Sequence, residues 1–108
     1  MTNFAPADSR DRRYWKVSWH HRFVEEPITL YSELGEDGCE VRRVEEFRDG
    51  TAGWADGRGH SARTFLAEVP FGDLAEVAAQ EEFTPFLIGR REFEAVWERA
   101  RRGAPRVG

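Results

Sequence analysis

The sequence predicts a single α+β domain: a twisted antiparallel sheet of four to five strands, arranged as a meander and covered on one face by two C-terminal helices. Three observations predict it. Between Tyr14 and Trp54, four runs rich in β-branched and aromatic residues are separated by turn signals. Two of those signals, Gly35-Glu36-Asp37-Gly38 and Asp49-Gly50, are hairpin sequences, so successive runs should pair with one another. Beyond Pro70 the pattern changes to apolar residues at helical spacing. An antiparallel sheet needs only one buried face, and these helical stripes would supply its cover.

The elements follow in order. Residues 1–13 are polar, charged and contain Pro6, and predict a disordered arm ahead of a domain over 14–102. The first strand spans Tyr14 to Trp19, with Trp15, Val17 and Trp19 on one face and Tyr14, Lys16 and Ser18 on the other. The second, Ile28 to Leu34, sends Ile28, Leu30 and Leu34 to the core and turns Tyr31 and Glu33 away from it. The third, Cys39 to Arg48, does not alternate, because Val41, Val44 and Phe47 are spaced by three; one or more β-bulges would restore them to one face, and a short helical turn is the alternative that the flanking hairpin signals disfavour. Asp49-Gly50, read as a type I′ turn, leads to a fourth strand over Thr51–Ala55. Residues 56–62 read as a Gly-rich loop and Arg63–Val69 as a fifth strand.

Asp73 is a good N-cap for a short helix carrying Leu74, Val77 and Ala78. Residues 83–88 contain Pro85 and read as an extended connection. In the final helix Gly89 serves as N-cap, and Phe93, Val96, Trp97 and Ala100 form one apolar stripe. Arg99, Arg101 and Arg102 fill its last turn, where cations suit the helix dipole, and Gly103 and Pro105 end it before a tail over 103–108. The expected core is Trp15, Val17, Trp19, Ile28, Leu30, Val44, Leu74, Val77, Phe93, Val96 and Trp97.

A chain of 108 residues can close one hydrophobic core. Eight Phe and four Trp point to a thin core filled by large rings. The lone Cys39 excludes an internal disulfide, no run is apolar enough to span a membrane, and the first residues lack a secretory h-region. A cytoplasmic protein without a membrane partner is the expectation. Net charge is −4, but it is unevenly placed. Both ends are basic, whereas residues 14–98 hold 9 basic against 18 acidic side chains, a balance of −9. A body of that sign repels a phosphate backbone and attracts a basic partner.

No catalytic constellation stands out. His20-His21 would point to opposite faces of a strand, and with Cys39 and His60 they show no ligand-type spacing, so no metal and no cofactor is expected. Cys39 sits beside Glu40, which disfavours a thiolate. The best candidate is a polar patch on the sheet face away from the core: Tyr31, Glu33, Glu40, Arg42 and His20, with Lys16 beside them. Two close carboxylates there could split their pKa values and work as acid and base. The plainer alternative, and the favoured one, is a cross-strand ion-pair network on a solvated face. Arg10, Arg12 and Arg13 with Arg99, Arg101 and Arg102 could touch nucleic acid, but the acidic body argues against more than weak binding.

Several short runs carry a resemblance: Tyr14-Trp15-Lys16-Val17 and Trp19-His20-His21, Leu30-Tyr31-Ser32-Glu33-Leu34, Glu40-Val41-Arg42, Phe47-Arg48-Asp49-Gly50, Glu92-Phe93-Glu94 and Val96-Trp97. With these the run from Tyr14 to Trp97, nearly the whole domain, resembles a family of small bacterial domains of unknown function. The resemblance implies no activity and no catalytic residues; Cys39 stands where that pattern has an aromatic. Small acidic α+β domains of this type often lie near toxin or defence genes. The expectation is therefore a non-enzymatic acidic binding module, immunity-like or regulatory, engaging a basic macromolecular partner. The alternatives are a small enzyme or ligand-binding protein using the polar patch, and a weak nucleic-acid binder using the basic ends.

Overall fold

The computed structural model describes residues 12–107. The arm expected over residues 1–13 thus lies outside the described residues except for its last two. The strands are β1 (Arg13–Trp19), β2 (Thr29–Leu34), β3 (Glu40–Glu46), β4 (Ala52–Asp56), β5 (Gly59–His60) and β6 (Phe83–Ile88). The helices are α1 (Leu74–Ala78) and α2 (Arg90–Gly103). All six strands form one antiparallel sheet in the order β5-β4-β3-β2-β1-β6.

The β2–β3 and β3–β4 hairpins share one construction. Gly38 N–H donates to Gly35 O at 3.0 Å and Gly50 N–H to Phe47 O at 3.0 Å, and only the glycine has positive φ, 81° and 91°. Asp37 Oδ1 accepts from Cys39 N–H and Asp49 Oδ1 from Thr51 N–H, both at 2.9 Å. Asp49 itself is not at positive φ, so the turn is not the type I′ that Asp-Gly suggests. It is the three-residue loop whose last residue, in the left-handed region, forms a glycine bulge.

The structure departs from the expected sheet in two places. Residues 63–69 form no strand; the fifth strand is the two-residue β5. Thr64 and Ala67 instead lie across the sheet and bond buried carboxylates of β3. Residues 83–88, expected as a connection, all pair with β1, from Tyr14 to Trp19. Pro85 permits this because it sits on an edge strand. His20 N–H donates to Glu82 O, and the alternation from there turns position 85 outward, where no N–H is needed.

The sheet is covered on both faces, not one, and its helices lie on opposite sides. On one face α2 lays Phe93, Val96, Trp97 and Ala100 against Tyr14, Tyr31, Val44 and Trp54. On the other, Trp15, Val17 and Leu34 pack with Leu30 of β2 and with Phe71, Leu74, Val77 and Phe83 from the 65–73 segment, α1 and β6. The expected core is thus divided between the faces, and Trp19, Ile28, Leu30, Leu74 and Val77 are only half-buried. Asp73 caps α1 with a full capping box to Glu76. The last residues also pack: Trp54 Nε1 donates to Ala104 O at 2.6 Å and Val107 N–H to His60 O at 2.8 Å.

Gly53 in β4 faces the overlying segment, and a β-carbon there would run into Thr64 Oγ1. Gly53→Ala should therefore cost about 1–3 kcal/mol, the range for overpacking. A melting curve unchanged from wild type would show that the 61–67 segment does not lie on the sheet as described.

Candidate functional site

The five residues expected to form a polar patch do not form one. Tyr31, Glu33 and Arg42 share the α2 face, and Glu33 and Arg42 are direct cross-strand partners. Glu40 lies on the opposite face. The ladder shifts between Glu33 and Leu34, whose partners are Arg42 and Glu40, so Val41 is the extra residue of a bulge. A bulge exists, but it does not bring Phe47 to the face of Val44, and it separates the two carboxylates that were expected to be neighbours. His20 sits at the far end of β1 from Tyr14, exposed, its Nε2 2.6 Å from Thr84 Oγ1. Its neighbour His21 points the other way, 4.3 Å from the Trp19 ring, its Nδ1 accepting from Phe23 N–H and its Nε2 facing Pro27 O at 2.7 Å.

On the α2 face, Arg42 is the centre. Its Nε lies 2.5 Å from Glu33 Oε1, and its Nη1 and Nη2 reach Glu94 at 3.1 and 2.6 Å. Its guanidinium lies over the Phe93 and Trp97 rings, 4.9 and 5.0 Å from their centres. The other Glu33 oxygen is 3.4 Å from both Tyr14 Oη and Arg12 Nε. Arg90 lies 3.8 Å from Glu94. Burial works against the charge on Arg42, but Glu94 and Glu33 outweigh it and raise its pKa. The hydrogen bond from Arg42 holds the Glu94 carboxyl below its usual range. Burial, with Glu33 adding, raises the Tyr14 phenol, so it stays a donor at neutral pH. These groups line a cavity of about 320 Å³.

On the opposite face lies a second network. Glu40 accepts from Ser32 Oγ at 2.5 Å, Arg43 Nε at 3.0 Å and Ala67 N–H at 2.8 Å. Glu45 accepts from Arg43 Nη1 at 3.1 Å and Thr64 Oγ1 at 3.0 Å. Burial raises the Glu45 carboxyl despite these partners. The network ties the overlying segment to β3 and exposes no free acid or base. The expected cross-strand ion pair is Glu33–Arg42, but it lies beneath α2 and not on a solvated face, and the ion pairs of the second network lie within β3.

Sequence reasoning did not find Tyr14, Arg43, Thr64 or Glu94. One signal pointed to Arg43: Glu40 and Arg43 repeat the three-residue spacing of Val41 and Val44, which a single bulge converts into one face. Nothing local marks Glu94 or Thr64, whose partners are 52 and 19 residues away.

Tyr31, buried under α2, has its phenol pushed up to about 12 by burial first and then by Glu46 and Glu92. The unfolded chain ionises near 10, so folding should lose stability as pH rises from about 10 to 12 and be indifferent to this group below that. Melting temperatures of wild type and Tyr31→Phe across that window check it. The wild type should fall more steeply, and parallel profiles would contradict the burial of the hydroxyl.

Cys39 is half-buried, and desolvation with the Asp37 carboxylate raises its thiol pKa, away from nucleophile chemistry. Among the described residues, no group of three or more His, Cys, Asp or Glu is placed to hold a metal ion. No helix among them is long and apolar enough to cross a membrane. The model of a family described as a domain of unknown function, DUF6881, matches residues 13–102, and the chain belongs to that family. Comparison with curated proteins and with solved structures gave no match.

Proposed function

We propose that this chain is a non-enzymatic binding module of the bacterial cytoplasm, immunity-like or regulatory, that engages a basic protein partner. The observation that carries the reading is how its acids are divided. Glu33, Glu40 and Glu45 are buried and bonded within the two networks. Residues 64–89, in contrast, hold five acids (Glu68, Asp73, Glu76, Glu81 and Glu82) and not one basic residue. None of the five makes an ion pair among the described residues. Phe65, Val69 and Leu87 in the same region are more than 60 % exposed. The hairpin tip with Glu36 and Asp37 adjoins it, since Phe71 N–H donates to Gly38 O at 2.9 Å. Unpaired acids interspersed with exposed apolar side chains suit a basic, partly apolar surface.

The test is recovery of a partner from the native host, with Glu36→Lys/Glu68→Lys/Glu81→Lys as control. A partner held at about 50 mM salt should be released as salt approaches roughly 0.5 M and be absent from the triple variant. No partner at any salt, or one that the triple variant retains, contradicts the reading.

The cavity around Arg42 favours a second reading, a small-ligand site using Tyr14, Glu33 and Arg42, with Tyr31 on the same face. Its carboxylates are held by arginines, which suits binding better than proton transfer. Support for nucleic-acid binding through the basic end is thin. Arg101 lies 4.2 Å over the Trp54 ring, Arg99 pairs with Glu46 at 3.4 Å and Arg102 with Glu98 at 4.0 Å.

A further inference from the structure

A cavity of about 700 Å³ belongs to neither the Arg42 cluster nor the acidic surface. It opens between the 22–26 loop, the β3–β4 hairpin, the 61–64 loop and the last residues after α2. Val24, Phe47, Ala62, Pro105 and Val107 give it apolar walls. Gly53 and the Thr64 side chain packed over it line its inner end. Volume and lining are those of a small-molecule site, which is mostly apolar with a few charged groups to orient its occupant.

Three of those groups are basic and two acidic. Arg48, Arg63 and Arg106 stand at the rim with Glu25 and Asp49. Asp49 is already committed, its Oδ1 accepting from Thr51 N–H at 2.9 Å and Thr51 Oγ1 at 2.7 Å. Glu25 pairs with Arg63 through one nitrogen, at 3.9 Å. Arg48 donates one bond, to His21 O at 2.9 Å. Guanidinium N–H groups are thus left to face an anion at the edge of an apolar hollow. The net negative charge of the chain does not cancel this, since fields beyond about 10 Å are largely screened.

We propose that this cavity binds a small amphipathic anion, an apolar chain or ring system ending in a single carboxylate or phosphate. The apolar body lies against Phe47, Val24 and Val107, and the head group meets Arg63 and Arg48. The site is independent of the acidic surface, so a partner protein and this ligand can be tested separately.

The experiment is an NMR titration of the full chain with decanoate and decyl phosphate, each below its micelle concentration, and with decanol below its solubility limit. Two variants accompany it: Ala62→Trp, which fills the cavity from an exposed loop position, and Arg63→Gln. Thermal melts confirm that both variants fold. Decanoate and decyl phosphate should shift the amides of Val24, Thr51, Ala62 and Val107, and decanol should bind about tenfold more weakly, as loss of a charge-assisted contact implies. Arg63→Gln should weaken the anions several-fold and leave decanol unchanged, and Ala62→Trp should abolish all three. Carboxylate and phosphate sources are separated by which of the two anions binds tighter. The proposal is overturned if no probe binds or decanol binds as tightly as decanoate. It is equally overturned if the shifts map elsewhere, Ala62→Trp leaves binding intact, or Arg63→Gln does not weaken the anions.

Discussion

Trp97→Ala should destabilise the domain by about 3–5 kcal/mol, the usual cost of emptying a buried tryptophan site. The ring is 8 % exposed and meets four partners. Trp54 is edge-on at 5.7 Å, Phe93 stacked at 6.4 Å, and the Arg42 and Arg101 guanidiniums lie at 5.0 and 5.6 Å from its centre. Small domains have roughly 5–15 kcal/mol of stability in total, so the variant should melt far below wild type or not fold at all. Trp54→Ala should behave alike, because it also removes the bond to Ala104 O. If Trp97→Ala melts within a degree or two of wild type, α2 does not pack on the sheet as described.

Arg43→Met is expected to cost a similar amount for a different reason. Arg43 is the shared cation of Glu40 and Glu45, whose side chains are 0 % and 11 % exposed. Its loss leaves two buried carboxylates without a counter-charge, a situation worth about 3–5 kcal/mol. The deficit should depend on pH with a definite sign. Burial already raises the Glu45 pKa, and removing Arg43 raises it further, so protonation favours the folded variant. Relative to wild type, the variant should therefore recover stability as pH falls through the carboxylate range and be worst at neutral pH. Chemical denaturation at several pH values checks this, and a deficit independent of pH would mean that lost packing, not buried charge, is responsible.

How much of this was legible in the sequence depends on the range of the interaction. Turns and caps are local, so Gly38, Gly50 and Asp73 marked their elements correctly. The alternation in β1 correctly separated Trp15 and Val17 from Tyr14. What could not be read was which face would be covered, because both faces of β1 and β2 carry large residues, and cover comes from distant segments. Treating Tyr14 and Tyr31 as solvent-facing followed from assuming a single buried face. The polar patch failed for a related reason. The spacing of Val41, Val44 and Phe47 indicated a bulge, but only its location at Val41 shows that Glu40 turns away from Glu33. Pro85 argued against a strand within 83–88, and the edge position that makes it acceptable is a property of the whole sheet.

The central claim is that the charged residues of the sheet are occupied internally, which leaves the unpaired acids around residues 64–87 to meet a basic partner. Chemical-shift mapping with a lysine-rich amphipathic peptide at about 50 mM salt tests it most directly. The account predicts salt-sensitive binding, with perturbed amides at Glu36, Asp37, Glu68, Val69 and Glu81–Leu87. Perturbations centred on Arg42 and Glu94, or no binding at that salt, would contradict it.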